Sequence, residues 1–462
     1  MPSFLDGRQI IEPKSLIGPR VYSTDLFPAL INANDAGLSV AIASRALKTK
    51  LITKGIVTLN SVYLLSPGGI ALFENDSSLF EGDGILPAFR DDHSELQHLV
   101  ERNQKDLDAA GIGGARLDEH LVKLDASIRK VLPWQLADNG ELLRQLLISG
   151  LEDDNSRISL ELTTVGFDRI GRAKLVEQVR DADMTASANV RALMKVEPEA
   201  ASRLLNAFVT ASYHKVGAAV VNCEIGTDLN PLSAYKAADM ILAARSADGM
   251  ARLSEEAIFL DTFAATALAA IQSFVASDSI IDSLDFKAAH RLSEALRAQG
   301  FQQEYDQTLS KVLSMTSFET TDVDNIDVED VTHAVESLHR SFSAAITDQL
   351  PNYTTKIQHD AKERLIQVGA DLSRDIAGQV PGLSNMISVF DAVQHGKEGV
   401  AASWEALTLR DTQKALTEGA NKRREKMNTA IDTLYAGRSS KSKLLDGVGA
   451  MVDLYVKAIE RV

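Results

Sequence analysis

The sequence predicts a mainly α protein: multi-helix bundles preceded by a small mixed α/β amino-terminal domain containing a β-hairpin. Three observations predict it. Val328, Val331, Val335, Leu338, Phe342 and Ala345 recur three and four apart, which lines one stripe of a helix. The composition is rich in Ala and Leu, with only 11 prolines in 462 residues and 5% aromatics, a balance that favours helix. Residues 56–65 (IVTLNSVYLL), by contrast, form a β-branched, apolar run. Ser66-Pro67-Gly68-Gly69 and a second apolar run at 70–73 follow, the pattern of two strands around a tight turn.

The elements follow in order. Residues 35–49 look helical, and 85–89 read as a short edge strand, because proline at Pro87 is tolerated at a sheet edge. From Ser94 the pattern turns helical. Ser94 and Gln97 have capping-box spacing, Leu96, Leu99, Val100 and Leu107 share a face, and Gly111 can end the helix. Leu117, Leu121, Leu124 and Ile128 mark the next helix, closed near Pro133. Residues 141–150 and 168–181 are helical, with the alternating Ile158, Leu160 and Leu162 between them reading as a strand. Pro198 opens a helix that runs to about residue 221, and a loop with Gly226 and Asn230 follows. Helices then cover 232–245, 251–276, 284–299 and 302–315.

Residues 317–330 carry Glu319, Asp322, Asp324, Asp327, Glu329 and Asp330 and no Lys or Arg, so mutual repulsion keeps the run solvated as a linker. Helices at 328–350, 354–379, 384–393, 399–436 and 440–459 follow, the first three separated by Pro351 and Pro381. The expected organisation is a mixed domain at 1–92, a helical domain at 93–316, the acidic linker at 317–330 and a carboxyl-terminal bundle at 331–462.

Bulk properties narrow the function. A hydrophobic content of 45% is that of a globular chain. A net charge of -16 repels phosphate backbones and argues against a general nucleic-acid binder. Cys223 is the single cysteine, which excludes an intramolecular disulfide and fits a reducing compartment. The first residues lack the basic-then-apolar pattern of a secretory signal, so a cytoplasmic, bacterial-type protein is expected. The most apolar stretch, 257–276, is interrupted by Asp261 and Gln272 and reads as a buried small-residue helix before a membrane span.

Candidate chemistry is sparse. Asp83, Asp91, Asp92, His93, Glu95 and His98 could hold a divalent cation or act as acid and base, but His93 and His98 are five apart and splay on a helix. Asp91 and Asp92 also suit a helix amino terminus. An EF-hand counted from Asp322 fails, because Ile326, Asp327 and His333 fall where it needs a carboxylate, Gly and Glu. Gly111–Gly114 lacks the preceding strand of a phosphate loop and reads as a helix–helix turn. Cys223 has His214 nine residues away as its nearest potential base, and a lone Cys after an apolar run usually packs in a core. Lys422, Arg423, Arg424, Lys426, Arg438, Lys441 and Lys443 form a basic segment in an acidic chain, a candidate for anionic partners. Apolar stripes at Ile357, Ala361, Leu365, Val368, Leu372 and Ile376, and at Leu444, Leu445, Val448, Val452, Tyr455 and Ile459, fit packing within the chain or self-association.

The leading expectation is a non-enzymatic, helix-rich interaction or scaffold protein. It carries no cofactor or dedicated metal site and partners with another protein or with itself; homo-oligomer and monomer carry equal weight. The alternatives are a metal-assisted hydrolase or nuclease built on Asp83, Asp91, Asp92, Glu95 and His98, and a helical protein that acts on membranes.

Overall fold

A computed structural model describes residues 7–16, 18, 20–23, 36–90, 96–134, 139–154, 156–185, 187–221, 223–226, 271, 274–276, 278–314, 328–351, 409–434, 436–437 and 440–460. The chain divides into two compact units. One comprises Met1–Asp228, Leu232–Ala251 and Asp285–His290; the other comprises Leu229–Pro231, Arg252–Leu284 and Arg291–Val462.

The first unit is built on a six-stranded sheet with every pairing parallel. Its strands are β1 (Gln9–Ile10), β2 (Arg20–Ser23), β3 (Ile56–Asn60), β4 (Ile85–Arg90), β5 (Lys130–Trp134) and β6 (Glu224–Gly226), in the order β1-β5-β4-β3-β2-β6. Parallel neighbours need crossovers, and helices supply them. α1 (Ala36–Lys54) joins β2 to β3, α2 (Pro67–Asn75) joins β3 to β4, and α3 (Leu96–Ala109) with α4 (Gly114–Ser127) joins β4 to β5. α5 (Gly140–Glu152), α6 (Arg157–Thr164), α7 (Arg169–Asp181), α8 (Ser187–Leu193) and α9 (Glu199–Val220) lie between β5 and β6. Strands thus come from both sides of residue 92, and the segments 1–92 and 93–316 contribute to one sheet.

Side-chain alternation assigns the two faces. Tyr22, Ile56, Leu86, Ala88 and Leu132 join one core with Leu143, Leu147, Leu175, Val179, Leu204 and Phe208 from the β5–β6 helices. The alternate strand residues Val21, Val57, Leu59, Ile85, Phe89 and Val131 are buried as well. A sheet covered on both faces explains why its strands read as continuous apolar runs.

The expected β-hairpin is absent, because the strands are parallel. Ser66-Pro67-Gly68-Gly69 is instead the start of α2. Ser66 is the N-cap, its hydroxyl accepting the Gly69 N–H at 3.1 Å, and Pro67 occupies the first turn. The second half of the presumed strand, Ser61–Leu65, is a 3-10 turn. Ile85–Arg90 is interior, between β3 and β5, and not an edge strand. Pro87 is accommodated because it pairs with Leu59 of β3, whereas the register with β5 begins one residue later, at Ala88. Ile158, Leu160 and Leu162 are helical: Ile158 and Leu162, four apart, are buried in α6, and Leu160 is 54% exposed. Asp168 caps α7, accepting the Gly171 N–H at 2.8 Å.

The second unit is helical. It contains α10 (Asp278–Ser283), most of α11 (Phe286–Ala298), α12 (Phe301–Ser314), α13 (Val328–Gln349), α14 (Leu409–Leu434) and α15 (Ser440–Glu460). α13 packs on α12 and α15, and α14 packs along α15. The α13 stripe of Val331, Val335, Leu338, Phe342 and Ala345 is buried, as are Ile431 on α14 and Leu444, Val448 and Val452 on α15. Residues 315–327, which include most of the acidic linker, and the helices expected at 232–245, 354–379 and 384–393 lie outside the described residues, as does most of 251–276. No described helix is long and apolar enough to cross a membrane.

Candidate functional site at the carboxyl edge of the sheet

From β2 onward the strand order reverses once, with β1 at the far edge beside β5. β3, β4 and β5 are laid down successively on one side of β2, and β6 then pairs on its other side. In open parallel sheets this is where ligands settle, because the loops leaving neighbouring strands part and open a crevice at the carboxyl ends. The side chains at the carboxyl ends of β2 and β3 are polar. Lys50, on α1, donates from Nζ to Ser23 Oγ at 2.9 Å, and both residues are buried. Asn60, the last residue of β3, donates from Nδ2 to the Tyr22 hydroxyl at 3.0 Å. Tyr22 also packs against the His214 ring, with centroids 6.3 Å apart. Gly217 makes room for it: a Cβ there would lie 3.0 Å from the Tyr22 hydroxyl.

Cys223 immediately precedes β6, at the amino end of that strand. Its Sγ is 3.2 Å from Thr58 Oγ1. Burial pushes the thiol up from its ordinary value, against the opposing pull of the Thr58 hydrogen bond and the Arg20 charge. A neutral thiol at physiological pH is a packing group, in line with the apolar run that precedes it.

The carboxylates and histidines singled out in the sequence divide along β4. Asp83 precedes the strand, at the amino edge, where it pairs with Lys130 at 2.5 Å and is 63% exposed. Asp91 and Asp92 follow the strand in the chain; they lie outside the described residues, as do His93 and Glu95, and His98 belongs to α3. β4 itself is six residues long, about 20 Å of rise, and begins two residues after Asp83 in the chain. Among the described residues no three His, Cys, Asp or Glu side chains converge to hold a metal ion.

Of the basic segment, Lys422, Arg423, Arg424 and Lys426 fall on α14, and Lys441 and Lys443 on α15. Two of these cations meet carboxylates of the neighbouring helix: Arg424 lies 3.6 Å from Asp453, and Lys441 lies 2.9 Å from Asp432. The Arg424 guanidinium also lies over Gly449. These pairs staple α14 to α15. Sequence reasoning missed Ser23, Lys50 and Asn60 altogether, because their signal is the parallel strand order and no short motif announces it.

No protein-family model, curated protein or solved structure matches this chain.

Proposed function

We propose that the first unit binds a small molecule at the carboxyl edge of its sheet, between β2 and β6, and that the helical unit serves as an interaction module. The observation that carries the reading is the reversal of strand order at β2, with polar groups from Ser23, Lys50, Asn60 and Tyr22 at that end. The interaction role expected from the sequence then belongs to exposed faces of the helices, since the α13 stripe is turned inward. The test is hydrogen exchange of the full chain with ATP, NAD and a sugar phosphate added in turn. Protection of the peptides covering residues 20–23 and 56–61 is the expected result. Binding that protects only the amino edge of the sheet, or no binding by any of the three, rejects the proposal.

A second reading is metal-assisted hydrolysis. Its support is chain position: Asp91 and Asp92 are the first residues after β4, and carboxylates at the carboxyl ends of parallel strands can hold a cation that activates water. Asp83 takes no part in it, being paired at the opposite edge. Mn²⁺ titrated into the full chain and into Asp91→Ala/Asp92→Ala decides between outcomes. Binding abolished by the double substitution supports this reading, and equal binding by both proteins removes it.

A further inference from the structure

His120 is 2% exposed, on a helix that is otherwise mostly solvent-facing. Its imidazole meets Phe73 of α2 edge-on, with centroids 5.5 Å apart. Neither ring nitrogen makes a hydrogen bond of good geometry. Within α4 only His120 and Leu124 are fully buried, so one of the two anchors that seat this helix is a titratable group. A small apolar pocket of about 10 Å³, lined by Tyr63, Leu64, Leu72, Phe73, Phe80 and Leu124, shares Phe73 with the imidazole but is not lined by His120 itself. That space is at the lower limit for one water molecule.

We propose that α4 is an acid-responsive latch, in which protonation of His120 releases the central turns of the helix from α2 and from the turn at Ser61–Leu65. The charged groups around the ring do not offset the burial. From α2, Glu74 favours the charged ring, but its carboxylate is engaged by Arg116 through two hydrogen bonds, at 2.7 and 3.2 Å. From α4 itself, Arg116 and Lys123 oppose protonation, whereas the Leu64 backbone, the largest influence set against burial, favours it ahead of Glu74. Burial is the largest influence and lowers the ring's pKa from 6.5. A neutral ring is therefore favoured by the closed helix. The stability it contributes is complete above pH 6.5 and drains away as the pH falls toward the lowered value in the folded protein.

Both ends of α4 hold through that window. Arg116 engages Glu74, whose own pKa lies below 4.5, so the pair stays charged. At the other end Arg8 pairs with Asp125 and donates to the Asp125 and Ile128 carbonyls. Release is thus confined to the turns that carry His120 and Leu124.

The experiment is hydrogen exchange of the full chain between pH 7.5 and 5, corrected for intrinsic amide chemistry, read on the peptides covering 61–75 and 114–127. The open population should rise by up to about tenfold per pH unit below 6.5, and His120→Leu should flatten that response. Exchange of the His120 ring C2 proton in the unmodified protein gives its titration directly and needs no variant. A ring that titrates at or above 6.5, a flat amide profile, or an acid response that persists in a folded His120→Leu each overturns the latch.

Discussion

Gly69 sits against the Tyr63 carbonyl so closely that a Cβ at this position would lie 1.7 Å from the oxygen. The contact arises because the 3-10 turn at Ser61–Leu65 folds directly into α2, with the Ser66 hydroxyl donating to the same Tyr63 carbonyl at 2.9 Å and accepting from Gly69. No side chain relaxes away from a backbone oxygen, so α2 must shift or the cap must break. Gly69→Ala is expected to cost about 3 kcal/mol in urea unfolding. Gly111 is the control. It has φ +67° with open space around it, so Gly111→Ala should cost only about 1 kcal/mol. Equal losses at the two sites would refute the steric account.

A buried cation ties the β5–β6 helices together. Arg172, on α7, donates to the Ser159 carbonyl at 3.2 Å and the Thr163 hydroxyl at 2.8 Å on α6, and to Asp154 at 2.5 Å in the turn before it. Arg172→Met keeps the stem and removes three acceptors' partner at once. The expected loss is about 2–3 kcal/mol. The half-exposed Asp154 recovers water, which keeps the figure below that of a fully buried pair. An Arg172→Met protein as stable as the parent would mean that the stem alone holds the helices.

These two sites show which parts of the chain could be read in advance. α7, α9 and α13 were legible because each has a single apolar face at helical spacing, and a cap or proline marks the start of α7 and α9. The parallel sheet was not. A strand buried on both faces has no alternation, and Ile56–Asn60 runs without a break into the apolar turn that follows it. The Ser-Pro step before Gly68-Gly69 fits a turn and a capped helix equally well until the partner strand is known. Pairing between β2 and β6 joins residues about 200 apart, and no local pattern reports it. The polar carboxyl edge therefore stayed hidden, while the local carboxylate cluster drew attention to Asp83, a residue at the other end of β4.

Tyr22 and Asn60 should be energetically coupled. Their hydrogen bond closes the end of β2 against β3, and the Tyr22 ring is fully buried. A double-mutant cycle of Tyr22→Phe and Asn60→Ala in urea should return a coupling of about 1 kcal/mol. Tyr22→Phe alone should lower stability by a similar amount without shifting the backbone, because the ring and its Gly217 contact are kept. A coupling near zero would indicate that water replaces the bond at the edge.

The α13 stripe distinguishes packing within the chain from association between chains. Leu338 is 0% and Phe342 1% exposed, and α13 lies against α12 and α15. Lys457 of α15 reaches Glu336 of α13 at 3.2 Å, on the rim of the same contact. Truncating either apolar side chain leaves a void between helices of one chain, so Leu338→Ala and Phe342→Ala should each cost about 3–4 kcal/mol. The rim pair is exposed, and Glu336→Gln should cost at most about 0.5 kcal/mol. Because the stripe is already filled, neither alanine variant should alter the mass measured by light scattering while it stays folded. A folded variant whose oligomeric state changed would mean that a second chain shares this surface, and the helical unit would have to be redrawn as an interchain bundle.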